Sequence, residues 1–160
     1  MNNPIGVVLV LCIGGFLVYR GGKQIMKDSD KEIDIMARTA WGEARGEGAA
    51  GMQAVLNVVM NRVRLGGWYG LTPAEVCQKP AQFSVWNRTD PNYTPMLTVT
   101  DSDRNFATAK NLASLAYHGA LPDITGGATN YLALGSLSMA PSWASRLTKT
   151  AEIGRHTFYA

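Results

Sequence analysis

Glu43 and Glu47 stand four residues apart in "RTAWGEARGEG", residues 38–48, among alanines, glycines and a tryptophan. On a helix, side chains at i and i+4 share one face. A carboxyl where an apolar face meets water is partly desolvated, which favours its protonated form. That is what a general acid requires if it is to hand a proton to a leaving oxygen near neutral pH. The plain alternative is a solvated helix face, or for Glu47 a negative charge beside the positive end of a following helix. Spacing alone favours that alternative, so the choice rests on the elements around the pair.

Those elements are mainly helical. In "KEIDIMARTAWGEAR" the residues Ile33, Met36, Ala37, Ala40, Trp41 and Ala44 recur at intervals of three and four, one apolar stripe. At about 100° per residue, Glu43 lies roughly 90° from the stripe's centre, and Glu47 closer to the buried direction if the helix reaches it. Gly42 and Gly46 carry no side chains and would let a bulky polymer approach. Gly46 and Gly48 end this helix. A second runs from 49 to 65, with Met52, Val55, Leu56, Val59, Met60 and Val63 buried, and "GGWYG" breaks it.

Thr72, Pro73 and Glu75 form a capping-box signature for a short helix in "TPAEVCQK". "PAQFSVWNRTDPNYTP", residues 80–95, reads as irregular loop. A third long helix spans 102–118 and stops at Gly119. The remainder is rich in glycine, serine and threonine, with strand-like pieces in "ATNYLAL" and "RHTFY". The fold class is mainly α, an α+β domain with a small β or irregular C-terminal part.

Ahead of this domain, residues 5–19, "IGVVLVLCIGGFLVY", form an uncharged apolar run. At about 1.5 Å per residue it spans roughly 22 Å, short of a hydrocarbon core of roughly 30 Å. Gly6, Gly14 and Gly15 weaken it further. "MNNP" is not a basic start and no small-residue cleavage site follows, so the reading is an uncleaved hydrophobic helix, a signal anchor occupying 1–22. A buried core helix is the alternative. Residues 23–31 form a polar linker and 32–160 the catalytic domain. Arg20 and Lys23 follow the run, which by the positive-inside rule would keep the domain in the cytoplasm; a substrate outside requires that rule to be overridden.

The whole chain, 160 residues, is 46% hydrophobic and 17% charged with a formal net charge of +3, a composition for one globular domain. The basic excess is spread out, without the clustered stripe of a nucleic-acid binder. Two cysteines, Cys12 and Cys77, and two histidines, His118 and His156, offer no zinc-ligand spacing, which counts against zinc amidases and peptidases. His118, at a helix end, is a cation near the negative terminus. No cofactor or metal is expected.

The stretch "ARTAWGEARGEGAAGMQAVLNVVMNRV" resembles the opening motif of the spore-cortex-lytic, SleB-like family of cell-wall hydrolases. "PAQFSVW" at 80–86, "GATNYL" at 127–132, "PSWA" at 141–144 and "IGRHTFY" at 153–159 follow in that family's order. The resemblance implies a lysozyme-like, lytic-transglycosylase-like domain acting on peptidoglycan, with Glu43 as catalytic acid and Glu47 as a supporting acid. It implies a glycan groove in which Gln82, Ser84 and Asn130 supply hydrogen bonds and Phe83, Trp86 and Tyr131 supply stacking faces, though core packing is an equal alternative for those aromatics. His156 belongs to the G-x-H-x-F element and lines the site wall, or is simply structural.

No peptidoglycan-binding repeat module precedes the domain, and the short anchor resembles those of phage signal-anchor-release endolysins. The expected protein is a monomer, tethered to the inner membrane and then released to the periplasm. Its expected reaction is cleavage of the β-1,4 bond between N-acetylmuramic acid and N-acetylglucosamine, by hydrolysis or by internal attack. The alternatives are an amidase or peptidase using Cys77, and an inactive membrane-tethered glycan-binding protein. Cys12 and Cys77 could pair only after the anchor leaves the bilayer.

Overall fold

The structure, a computed structural model, describes residues 28–133 and 141–160. The chain divides into two compact units, residues 1–31 and 32–160. The anchor, Cys12 and most of the linker lie outside the described residues. Among the described residues no helix is long and apolar enough to cross a membrane.

Helix α1 runs over residues 28–44. Its stripe is buried as the periodicity requires, with Met36, Ala37 and Ala40 fully inaccessible. The Glu32 carboxylate accepts from the Ala74 N–H at 2.7 Å, tying α1 to the first turn of a later helix. The helix ends at Ala44 and does not continue through Glu47. A single 3₁₀ turn, Arg45–Glu47, follows.

Helix α2 (Gly48–Leu65) is the central element, with Val55, Leu56, Val58 and Val59 all without solvent contact. Helix α3 (Pro73–Gln78) starts as its sequence predicts: Thr72 Oγ1 accepts from the Glu75 N–H at 3.2 Å. The Glu75 carboxylate reaches one residue further back than a capping box requires, to the Leu71 N–H at 2.7 Å. Helix α5 (Arg104–Tyr117) packs on α2. Asp103 caps it through the Phe106 N–H at 2.8 Å, and Gly119, at φ 72°, closes it in the left-handed region.

The segment expected to be irregular contains a 3₁₀ turn, Ser84–Trp86, and leads into helix α4 (Tyr93–Thr98). Pro95 falls in the first turn of α4, where an N–H has no helical partner to lose. The C-terminal part is a three-stranded antiparallel sheet of β1 (Asn130–Ala133), β2 (Lys149–Ile153) and β3 (His156–Tyr159), in the order β1-β3-β2. The last strand in sequence is thus the middle one. Tyr131 pairs with Phe158 and Ala133 with His156, so these four side chains share a face.

Candidate active site

Glu43 sits in the last turn of α1, half-buried, at the boundary its helical phase predicts. Each of its oxygens is held by one donor. The Val85 N–H donates to Oε1 at 3.0 Å and the Tyr131 hydroxyl to Oε2 at 2.9 Å. Val85 comes close because residue 42 is glycine: a Cβ there would lie 2.2 Å from Val85 Cγ2. The absent side chain therefore admits the protein's own 84–86 turn, and not a polymer as the sequence reading held. Gly42 is buried, while Gly46 faces the cleft.

Two cavities of about 350 and 340 Å³ meet at this carboxyl. The first is lined by Gly46, Glu47, Ala133, Arg155 and His156, and the second by Arg62, Gln82, Ser84, Asn130, Tyr131 and Trp143. A single acid between two lobes is the arrangement expected where one bond of a polymer is to be broken, with a segment of chain in each lobe.

Glu47 does not point into the core. From the 3₁₀ turn it reaches the β2–β3 hairpin, where Oε2 accepts the Arg155 N–H at 3.0 Å and Oε1 the Arg155 Nε at 2.7 Å. The side-chain bond to Arg155 holds its carboxyl below the usual carboxylate range. Glu47 is therefore an ionised, committed partner.

Tyr131 keeps its proton. Burial, and then the adjacent Glu43 charge, push the phenol well above its ordinary range, so it acts as a permanent donor. His156 packs edge-on against Tyr131 at 5.2 Å between ring centres, and burial pulls its pKa below the ordinary 6.5.

In the second lobe, Ser84 Oγ donates to Asp90 Oδ2 at 2.8 Å and keeps its capacity to accept. Asn130 Oδ1 accepts from Thr129 Oγ1 at 2.9 Å. Gln82 is largely committed to protein: its oxygen takes Arg62 Nη1 at 3.1 Å and its nitrogen gives to the Tyr69 carbonyl at 2.7 Å. Phe83 and Trp86 line neither lobe. Phe83 is 2% exposed beneath the Arg62 guanidinium, and Trp86 donates to Thr39 Oγ1 at 2.9 Å against the core. These two offer packing and not stacking faces; the aromatics that do line the lobe are Tyr131 and Trp143.

Arg62 is the residue whose importance the sequence reading missed. It is 7% exposed, lies between Tyr69 and Phe83, and donates Nε to the Thr129 carbonyl at 2.8 Å. Burial pulls its pKa below the ordinary arginine range, and its charge faces Glu43 and Tyr131. A signal existed: Arg62 follows Val55 and Val59 at helical spacing, a cation on an apolar stripe. Cys77, by contrast, is sealed in the core with its thiol pushed up to about 12, unsuited to nucleophilic attack. Among the described residues no group of three or more His, Cys, Asp or Glu side chains converges as a metal site would require.

A sequence model of the family described as Cell Wall Hydrolase matches residues 46–159. Two solved structures share the fold. The catalytic domain of the Bacillus cereus SleB protein has a TM-score of 0.65 at 27% identity, over 82% of this chain and 91% of that one. The catalytic domain of the germination-specific lytic transglycosylase SleB from Bacillus anthracis has a TM-score of 0.61 at 28% identity, over 81% and 93%. No curated protein sequence matches the chain.

Proposed function

Because the chain belongs to the cell wall hydrolase family, we propose that it cleaves peptidoglycan glycan strands at the β-1,4 bond from N-acetylmuramic acid to N-acetylglucosamine, with Glu43 as general acid and base. The observation that carries this reading is the carboxyl of Glu43 at the junction of the two lobes, one donor on each oxygen. The likeness to a lytic transglycosylase catalytic domain supports it.

Glu43 protonates the glycosidic oxygen as the bond to the muramic C1 lengthens, and an oxocarbenium-like centre develops. The resulting carboxylate keeps the Val85 and Tyr131 donors, which stabilise the charge it has just acquired. It then takes the proton from the muramic 6-hydroxyl as that oxygen closes on C1. The product is a 1,6-anhydro sugar, and the acid is regenerated. Attack by water instead would give a reducing end. The internal route is favoured because Glu47, the nearest other acid by sequence, has both oxygens engaged by Arg155.

Mass analysis of digested peptidoglycan tests this. Anhydro ends are expected; reducing ends one water heavier would assign hydrolysis, and peptide or amide fragments would refute glycan cleavage altogether. The burial of Cys77 supports the glycosidase over a thiol amidase.

For location, the proposal rests on sequence. The short, glycine-containing apolar run at 5–19 would tether the enzyme weakly to the inner membrane, from which depolarisation releases it to the periplasm, as in a phage endolysin. Cell fractionation before and after depolarisation should move the protein from membrane to periplasm. A protein found soluble from the outset would overturn the tether.

A further inference from the structure

We propose that Arg155 makes the lobe beside Glu47 a receptor for a substrate carboxylate. The acid is either the one muramic acid carries on its lactyl ether or one in the peptide attached there. The inference rests on the glycan-groove reading above and adds what that groove recognises.

Arg155 occupies the turn between β2 and β3 and lines the lobe next to Glu43. Glu47 takes its backbone N–H and its Nε, which leaves the Nη1–Nη2 edge with no partner among the described residues. The side chain is 78% exposed while that of Glu47 is 10% exposed, so the acid is the fixed base and the guanidinium the presented end. Gly46 lies beneath: a Cβ there would come 3.8 Å from Arg155 Nη2.

The mount for this fork is tightly specified. Gly154 adopts φ 58°, and a Cβ on it would lie 2.2 Å from Glu47 Oε2. A Cβ on Gly51 would lie 2.3 Å from Glu47 Cβ. The left-handed backbone at Gly154 and the close approach at Gly51 thus both favour glycine around the side chain of Glu47. With the Arg155 end of the pair 78% exposed, solvent screening leaves it only a modest share of stability, which does not by itself account for a guanidinium presented to the cleft. Orientation does. A guanidinium fixed along its Nε side offers its remaining edge as a two-pronged donor matched to a carboxylate.

The charges around the lobe point the same way. Its titratable lining groups are Glu43, Glu47, Arg155 and His156. Burial favours the neutral form of His156, so Arg155 is the cation that an incoming acid meets. Glu47 cancels much of the net charge, and recognition therefore depends on directed hydrogen bonds. A neutral sugar hydroxyl accepts a single hydrogen bond from such an edge, whereas a carboxylate, carried by the muramic residue or its acidic peptide, matches both prongs and the charge.

The test uses the full chain with two substrates: intact peptidoglycan, and strands stripped of peptides by an amidase so that only lactyl carboxylates remain. Each is also prepared with its carboxyls capped as methylamides. Binding is measured on the Glu43→Gln protein, which reads recognition independently of turnover, and KM is measured on the active enzyme. Capping should weaken binding and raise KM about tenfold, the worth of a charged hydrogen-bond pair. Arg155→Ala should show the weakened values without capping and no further response to it, and Arg155→Lys should fall between. An effect of capping on stripped strands assigns the lactyl acid; an effect confined to intact material assigns the peptide acids. The proposal fails if Glu43→Gln binds capped and uncapped strands equally, or if Arg155→Ala still tells them apart. Absence of any cleavage by the active enzyme, with binding still discriminating, would refute the glycosidase reading and leave Arg155 its role.

Discussion

The Tyr131 hydroxyl donates to Glu43 Oε2 across 2.9 Å, joining residues 88 positions apart. It fastens the end of α1 to the first strand of the sheet and fixes one oxygen of the proposed acid. Glu43→Gln should lower turnover on peptidoglycan by about 10²–10⁴, the usual range for a general acid and base. Tyr131→Phe, which keeps the ring, should lower kcat about tenfold with KM nearly unchanged. Both variants should keep the native far-ultraviolet circular dichroism. Full activity in Glu43→Gln would remove the residue from the mechanism.

Cys77 provides a second check. With no solvent contact and its thiol pushed up to about 12, it should resist thiol reagents at pH 8 until denaturant is added. Cys77→Ala should retain activity and lose roughly 1 kcal/mol of stability for the small cavity left. Rapid labelling of Cys77 in the native protein would contradict this burial.

The sequence made Glu43 legible because helical phase is local: the stripe from Ile33 to Ala44 places it at a boundary. Its partners were not legible. Val85 and Tyr131 reach it from 42 and 88 residues away, and neither contact leaves a pattern along the chain. Gly42 was misread for the same reason, since what approaches it is set by tertiary packing. Strand β2 escaped notice because it is an edge strand with mostly exposed side chains. The direction expected for Glu47 depended on α1 reaching it, and α1 stops three residues earlier.

His156 should shape the pH dependence of stability. Its folded-state pKa is depressed below the ordinary 6.5, chiefly by burial. In the unfolded chain it takes up a proton as pH falls through 6.5, while the folded protein still resists. Its contribution is therefore full above pH 6.5 and is lost as pH drops toward the folded value. Glu47, depressed below 4.5, adds a separate loss at more acidic pH. Melting temperatures of wild type should fall between pH 7 and 5, and His156→Gln should flatten that interval while leaving the acid limb intact. An unchanged slope in the variant would assign the effect elsewhere.

Ala81 adopts φ 66° in the wall of the second lobe, a conformation that costs a non-glycine residue about 1 kcal/mol. Ala81→Gly should accordingly raise stability by a few tenths to about 1 kcal/mol, the gain being reduced by the extra freedom of glycine when unfolded. Urea melts should show a higher midpoint at constant slope. A lowered midpoint would mean that the methyl group makes packing contacts worth more than the strain.

The placement of β3 between β1 and β2 makes the seating of the catalytic pocket's tyrosine depend on residues 156–159. Neither outer strand has a ladder to join until residues 156–159 arrive, and Tyr131 is seated through that ladder. Losing that middle strand would therefore unseat the donor that holds Glu43 Oε2 even with α1 unchanged.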